Sequence, residues 1–292
     1  MLSALVLALA YASAYSLLAV AVVLVYSGTK VLSLALGEIG AFGLYAALWW
    51  HDNGFLGIHP PVFAAALVAV VIGGALGLVV ERFVMRPLLG RPALDSLVAT
   101  LAVALFLALL ELKLYGIDPF PAPSPVGDGS VEIGGATLTV TEMTLLGLAA
   151  LVALGLWLFL TRTSFGLATR ATTSDPTVAR LLGVPVNHVY VFAWGTAGLV
   201  SGAAAALLAN VNGSLTPFSL TASLLSALAG AVIGGLDSLG GAVLGSAVVG
   251  LINGVVGSRV DPTTSAGIVF AAVLLTLLVR PRGLLGSDRV AA

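Results

Sequence analysis

The sequence predicts an all-α polytopic membrane protein. Composition is the first reason. Apolar residues make up 59% of the 292 residues and charged residues 9%, where a soluble domain carries about a quarter charged. Spacing is the second. Apolar runs of near-spanning length occur at 3–26, 31–50, 61–81, 95–115, 142–160, 189–209, 221–236, 241–257 and 262–279, and a helix needs ~20 apolar residues to cross the hydrocarbon layer. About eight to ten helices are expected by this count, in one membrane domain over 1–292 that leaves no room for a large soluble unit.

The breaks between runs carry turn and cap residues: Ser27-Gly28, Asp52-Asn53-Gly54, Pro60-Pro61, Gly90-Arg91-Pro92 and Asp261-Pro262. The seventh and eighth runs are short and glycine-rich, and bending within the membrane is the alternative to a full crossing. Ala12-Ser13-Ala14 resembles a signal-peptidase site. No basic residue precedes Lys30, however, and the apolar run continues to Val25, so the first run reads as a span rather than a leader.

Basic residues set the orientation. With the N-terminus outside and alternate crossings, Lys30, Arg82, Arg86, Arg91, Arg162, Arg170, Arg180, Arg280, Arg282 and Arg289 fall in the cytoplasm. Only Lys113 and Arg259 fall outside, together with Asp52, Asp118, Asp128, Glu132, Glu142 and Asp261.

The longest outer loop spans 116–141. Its VEIGGATLTV alternates apolar and polar residues around Gly134-Gly135, the pattern of a hairpin. It reads either as a small outer cap or as a contact surface for an extracytoplasmic partner. A weak internal repeat is also visible. Ser27-Gly28 after the first run and Asn210 to Ser214 after the sixth each precede a small-residue segment, one inside and one outside. Two halves of inverted topology, with broken helices near the substrate path, produce that pattern.

Glu38 is the acid set most deeply in an apolar run. At seven residues past the start of the second run it lies roughly 10 Å in, between Gly37 and Gly40, which allow close backbone approach. Such an acid either lines a path, couples protons or is satisfied by a neighbouring helix. Glu111 and Lys113 read as interfacial. His51, His59 and His188 fall in loops or at run ends, so no relay of buried groups is visible. Arg82, Arg86 and Arg91 read as orientation anchors, with a cytoplasmic partner or anionic lipid as the alternative. Glycines at spacing four, Gly230–Gly234, Gly241–Gly245 and Gly250–Gly254, read as helix-packing positions within the subunit or at an interface with a second one.

Several chemistries are excluded or unsupported. There are no cysteines, which removes disulfides, thiol catalysis and cysteine metal sites. No phosphate-binding G-x-x-x-x-G-K-[ST], zinc H-E-x-x-H or nucleophile G-x-S-x-G motif is present. No basic patch with interleaved aromatics points to nucleic acid. No catalytic residue, cofactor or metal is expected.

The segment 162–188 is a cytoplasmic loop in this scheme and carries the strongest local signal. Asp175 suits an N-cap, Pro176 the first helical position and Gly183 the position just past the end. Val178, Leu181 and Leu182 then share one face of a two-turn helix. A short capped helix with an apolar face, set among Arg170 and Arg180, is suited to docking another protein.

Three stretches resemble a known family. VLSLALGEIGAFGLYAA at 31–47, FGLATRATTSDPTVARLLGVPVNHV at 165–189 and AGAVIGGLDSLGGAVLGSAVVGLI at 229–252 are similar to segments of the membrane subunits of ABC importers for branched-chain and related hydrophobic amino acids, amides or urea. The resemblance implies a type II ABC importer permease-like fold in a bacterial or archaeal cytoplasmic membrane. It also implies two separate ATPase subunits, a second related permease or a homodimer, and an extracytoplasmic binding protein. By position, Arg170, Asp175, Pro176, Val178, Arg180, Leu181, Leu182 and Gly183 match the ATPase-coupling segment, and Ser33, Gly37, Glu38 and Gly40 lie near the translocation path. The chain departs from the pattern at Ser33 and Leu36, where the family has Asn and His, and at Asp237, where a glycine is common. These departures bear on the substrate, for which urea, an amide or a sugar is the alternative. A proton-coupled carrier using Glu38 is the alternative of a different class.

Overall fold

Helix α1 (Leu2–Thr29) is the central post of the molecule. It is buried along most of its length, with Val20 to Val25 sealed from solvent. The computed structural model describes residues 2–54, 58–124, 127, 129–133 and 136–286. Asp128, the Gly134-Gly135 turn and Arg289 lie outside them.

After α1 follow α2 (Leu36–Asn53), α3 (Val62–Val80), a π-helical turn at Glu81–Met85, a 3-10 turn at Arg86–Leu88 and α4 (Ala93–Tyr115). Then come β1 (Phe120–Pro121), β2 (Ser130–Ile133), β3 (Ala136–Thr139), α5 (Val140–Arg162), α6 (Ser164–Ser174), α7 (Pro176–Leu181) and α8 (Val186–Asn212). The chain ends with β4 (Ser214–Leu215), α9 (Ser219–Gly234), α10 (Leu239–Arg259) and α11 (Pro262–Val279). The expected hairpin is present: β2 and β3 pair antiparallel with Val131 opposite Leu138 and Ile133 opposite Ala136.

Two halves repeat. α1 packs on α10 as α8 packs on α3; α2 lies on α3 as α9 lies on α10; α1 meets α9 as α8 meets α2; α4 covers α2 as α11 covers α9. The paired helices α1 and α8 run antiparallel. Tyr11 donates to Asn212 at one end, 2.9 Å, while a Cβ on Gly28 would meet Ala193 at the other. The halves therefore have opposite direction, as the break pattern predicts.

Small residues let the helices touch backbone to backbone. Added Cβ atoms at Gly250 and Gly254 would meet Ala12 and Ala8 of α1; those at Gly73 and Gly77 would meet Gly198 and Trp194 of α8. Gly230 and Gly234 face Ser246 and Gly241. The spacing-four glycines are thus consumed within the subunit. Accordingly, Gly198→Ala should destabilise by about 1–3 kcal/mol, because its Cβ would lie 2.2 Å from the Gly73 carbonyl. Gly240→Ala, at a position with open space around it, should leave the thermal unfolding temperature in detergent unchanged or slightly raised. Equal effects of the two would contradict the packing.

The helix count differs from the sequence expectation. Among the described residues, five helices are long and apolar enough to cross a membrane, or six with Leu146–Arg162 and Ser164–Ser174 taken as one span bent by 77°. The reason lies in the breaks. Residues 31–35 and 214–218 are not helical, so α2 and α9 have only 18 and 16 residues. At ~1.5 Å per residue these reach about 24–27 Å, short of the ~30 Å layer.

The ends of the molecule separate by charge. The β1–β4 pair places the outer loop beside the end of α8. At the opposite end Lys30 pairs with Asp237 at 3.1 Å, Thr173 donates to the Ser27 carbonyl, and Leu284 and Leu285 bond back to Ile233 and Gly234. Among the described residues, that end carries the basic residues assigned to the cytoplasm, and Lys113 and Arg259 lie at the other.

Candidate functional site

The starts of α2 and α9 meet inside the bundle. The chain leaves α1 at Lys30, whose φ of 58° turns it sharply, and runs without regular structure to Ala35. Leu34 N–H donates to Thr100 Oγ1 of α4 and Ala35 N–H to Ser33 Oγ, at 3.3 Å each. The other strand of approach, 214–218, ends at Phe218 with φ of 67°. Neither α2 nor α9 has a side-chain cap from its own N-cap residue.

Glu38 supplies that cap across the junction. Its carboxylate accepts from the Thr221 hydroxyl in the first turn of α9. A carboxylate at a helix N-terminus is favoured by the N–H groups and the dipole there. Glu38 is 0% exposed and sits in the first turn of α2, so one side chain serves two helix starts. It does not stand midway along a continuous helix as its distance from Val31 suggested, because the helix begins only at Leu36.

Glu111 is the residue that sequence reasoning misplaced. It is 0% exposed rather than interfacial. α4 lays this face on α2, and the Glu111 carboxyl faces that of Glu38 within hydrogen-bond reach. A hydrogen bond between two carboxyls needs one proton between them. Above the pair, Tyr45 stacks on Tyr115 at 5.1 Å between ring centres and meets Phe120 edge-on at 6.1 Å, closing the junction toward the outer end.

The other expected path residues are packing positions. Ser33 is buried; a Cβ on Gly37 would lie 2.8 Å from the Leu220 carbonyl, and one on Gly40 2.3 Å from that of Ser201. Lys113 is exposed, and His51 and His59 bond to loop and helix-end carbonyls, as their positions predict.

At the cytoplasmic end α7 has the capping read from its residues. Asp175 accepts from Thr177 and Val178 N–H at 2.7 and 3.0 Å, and Pro176 opens the helix. Gly183 has φ of 81°; Gly183 N–H donates to the Arg180 carbonyl and Val184 N–H to that of Ala179, a Schellman closure. Ala179 turns inward against Val186 and Tyr190. Val178, Leu181 and Leu182 face outward, the last two 83% and 76% exposed, with Arg180 and Arg170 also on the surface. The helix is thus pinned at both ends with its apolar face kept out of the core. Through Thr173, α6 ties this platform to Ser27 at the end of α1, a few residues before the broken segment.

A helical membrane bundle of two inverted halves, with broken helices meeting inside and a short capped helix exposed at the basic end, is the architecture of a transport permease. The sequence profile of the branched-chain amino acid transport system / permease component family matches residues 4–278, and the chain belongs to that family. It is 27% identical to the high-affinity branched-chain amino acid transport system permease protein BraD of Pseudomonas aeruginosa, over 99% of this chain and 97% of BraD. It is 28% identical to the corresponding LivH of Escherichia coli K12, over 95% of this chain and 93% of LivH. The fold is similar to that of PsaBC from Streptococcus pneumoniae, solved in complex with Fab, at a TM-score of 0.50 and 18% identity over 94% of this chain and 91% of that one. The chain is therefore a multi-pass membrane permease of the ABC transporter type, homologous to inner-membrane permeases and not itself the catalytic subunit. Membership in that class implies ATPase and binding-protein partners in general.

Proposed function

We propose that this chain forms the translocation path of an ABC importer for branched-chain or other hydrophobic amino acids. Two ATPase subunits, a second related permease or a second copy, and an extracytoplasmic binding protein complete the assembly. The observation that carries the reading is the exposed apolar face of α7, capped at both ends on the basic side of a membrane bundle. The loop 162–188 is the coupling loop, with Arg170, Asp175, Pro176, Val178, Arg180, Leu181, Leu182 and Gly183 as its docking set. The outer loop 116–141 lies on the side from which substrate arrives.

The route of coupling follows the contacts. Movement of α7 is carried by α6 through Thr173 to the end of α1. From there Lys30 reaches Asp237, between α9 and α10, while the chain itself leads to α2. Both broken helices are thereby addressed at once, and the segment from Ser33 through Gly37 and Glu38 to Gly40 acts as a gate beside the path. Separation of Glu38 from Thr221 is the step that frees α2 from α9.

The names of the relatives support branched-chain substrates; Ser33 and Leu36 favour a second reading, in which the cargo is urea, an amide or a sugar. Competition in the reconstituted transporter separates them. Uptake of labelled leucine should be displaced by isoleucine and valine and not by urea or ribose; displacement by urea alone would establish the second reading.

A further inference from the structure

We propose that a cavity at the cytoplasmic end of this chain binds the phosphate of an anionic phospholipid. The cavity of about 140 Å³ lies where the π-helical turn after α3, the turn at 86–92 and the start of α4 meet Lys30 and α8. π-Helical turns of this kind recur at functional sites.

Its lining is rich in donors that nothing satisfies. Arg91 and Ser96 line it, and their side chains make no hydrogen bond or ion pair among the described residues. Trp194 also lines it, is fully buried, and its indole N–H has no partner. A buried indole N–H without an acceptor is destabilising. The 23-residue α4 begins here behind Pro92, which offers no side-chain cap. Lys30 and Arg86 add two more cations.

Acceptors are already committed. Glu81 is the acid in the lining, and Arg86 donates to both of its oxygens at 3.1 and 3.3 Å. Asp237 holds Lys30 from outside the cavity. Asp95, in the first turn of α4, is exposed and does not line it. Unassigned donors facing no unassigned acceptor define a site for an oxyanion. The surroundings specify its carrier. Phe83 and Leu94 flank the turn and are 73% and 70% exposed, and Val98 continues the same apolar surface one turn on. Acyl chains along that surface place a headgroup phosphate at the depth of the cytoplasmic interface, where basic pockets between helices hold anionic lipid.

Native mass spectrometry of the delipidated full chain in detergent, incubated with phosphatidylglycerol, tests the site. One lipid should be retained. Arg91→Gln should weaken retention about five-fold, the worth of one interfacial cation. Ser96→Leu, which fills the cavity while keeping every charge, should abolish it. Arg162→Gln, a basic residue of the same end outside the cavity, should leave it unchanged. Thermal unfolding shows that each variant is folded, and the exposed Arg91 carries the test if Ser96→Leu is not. Equal losses in Arg91→Gln and Arg162→Gln would mean diffuse surface attraction and overturn the site. Stabilisation by inorganic phosphate that depends on Arg91, with no lipid retained, would overturn the lipid as its occupant.

Discussion

Glu38→Ala is expected to lower the stability of the isolated subunit by about 3 kcal/mol and to abolish transport. The magnitude is that of removing one partner from a buried, charge-assisted network. Thr221 would lose its acceptor and Glu111 its neighbour, with both carboxyls buried. The amide variants make the assignment specific. Glu111→Gln keeps a neutral donor facing Glu38 and should stay within ~1 kcal/mol of wild type. Glu38→Gln keeps a carbonyl acceptor for the Thr221 hydroxyl but removes the ionisable carboxyl, and should impair transport far more than assembly. Thermal unfolding and uptake on the same preparations read out both. A neutral Glu38→Gln beside a costly Glu111→Gln would reverse the roles of the two carboxyls.

The second large effect is expected at α7. Leu181→Asp and Arg180→Glu should leave the subunit folded, since both side chains are exposed and make no core contact. Each should weaken ATPase association at least ten-fold, about 1.4 kcal/mol, because an apolar anchor or a complementary charge at the centre of a small docking surface is lost. Co-purification of the ATPases with the variant subunits measures this. Unchanged co-purification with unchanged transport would show that α7 is not the docking element.

α7 was legible in the sequence because everything that shapes it is local. Asp175, Pro176 and Gly183 lie within nine positions of one another, and their cap and turn preferences act without tertiary help. The inverted repeat showed only as two breaks, and the helix pairings of the folded chain are what make it plain. The start of α2 was hidden because residues 31–35, VLSLA, are as apolar as the helix that follows. Their backbone bonds instead to side chains, Thr100 of α4 among them. Glu111 was misread because its position near a run end suggested the interface. A periodic signal was available: Ala104, Leu107, Ala108 and Glu111 fall at i, i+3, i+4 and i+7, on the stripe that α4 buries. Glu81 was passed over beside the more conspicuous arginines, and its bidentate bond to Arg86 depends on a π-helical turn that the sequence does not announce.

The central claim is that this chain is a passive path driven from outside by ATP. Uptake of labelled leucine into proteoliposomes holding this subunit, with and without its ATPases and binding protein, measures it most directly. Uptake should require ATP, the ATPases and the binding protein together, and an imposed proton gradient should have no effect. Uptake by this chain alone under a proton gradient would contradict the account and make Glu38 and Glu111 a coupling pair.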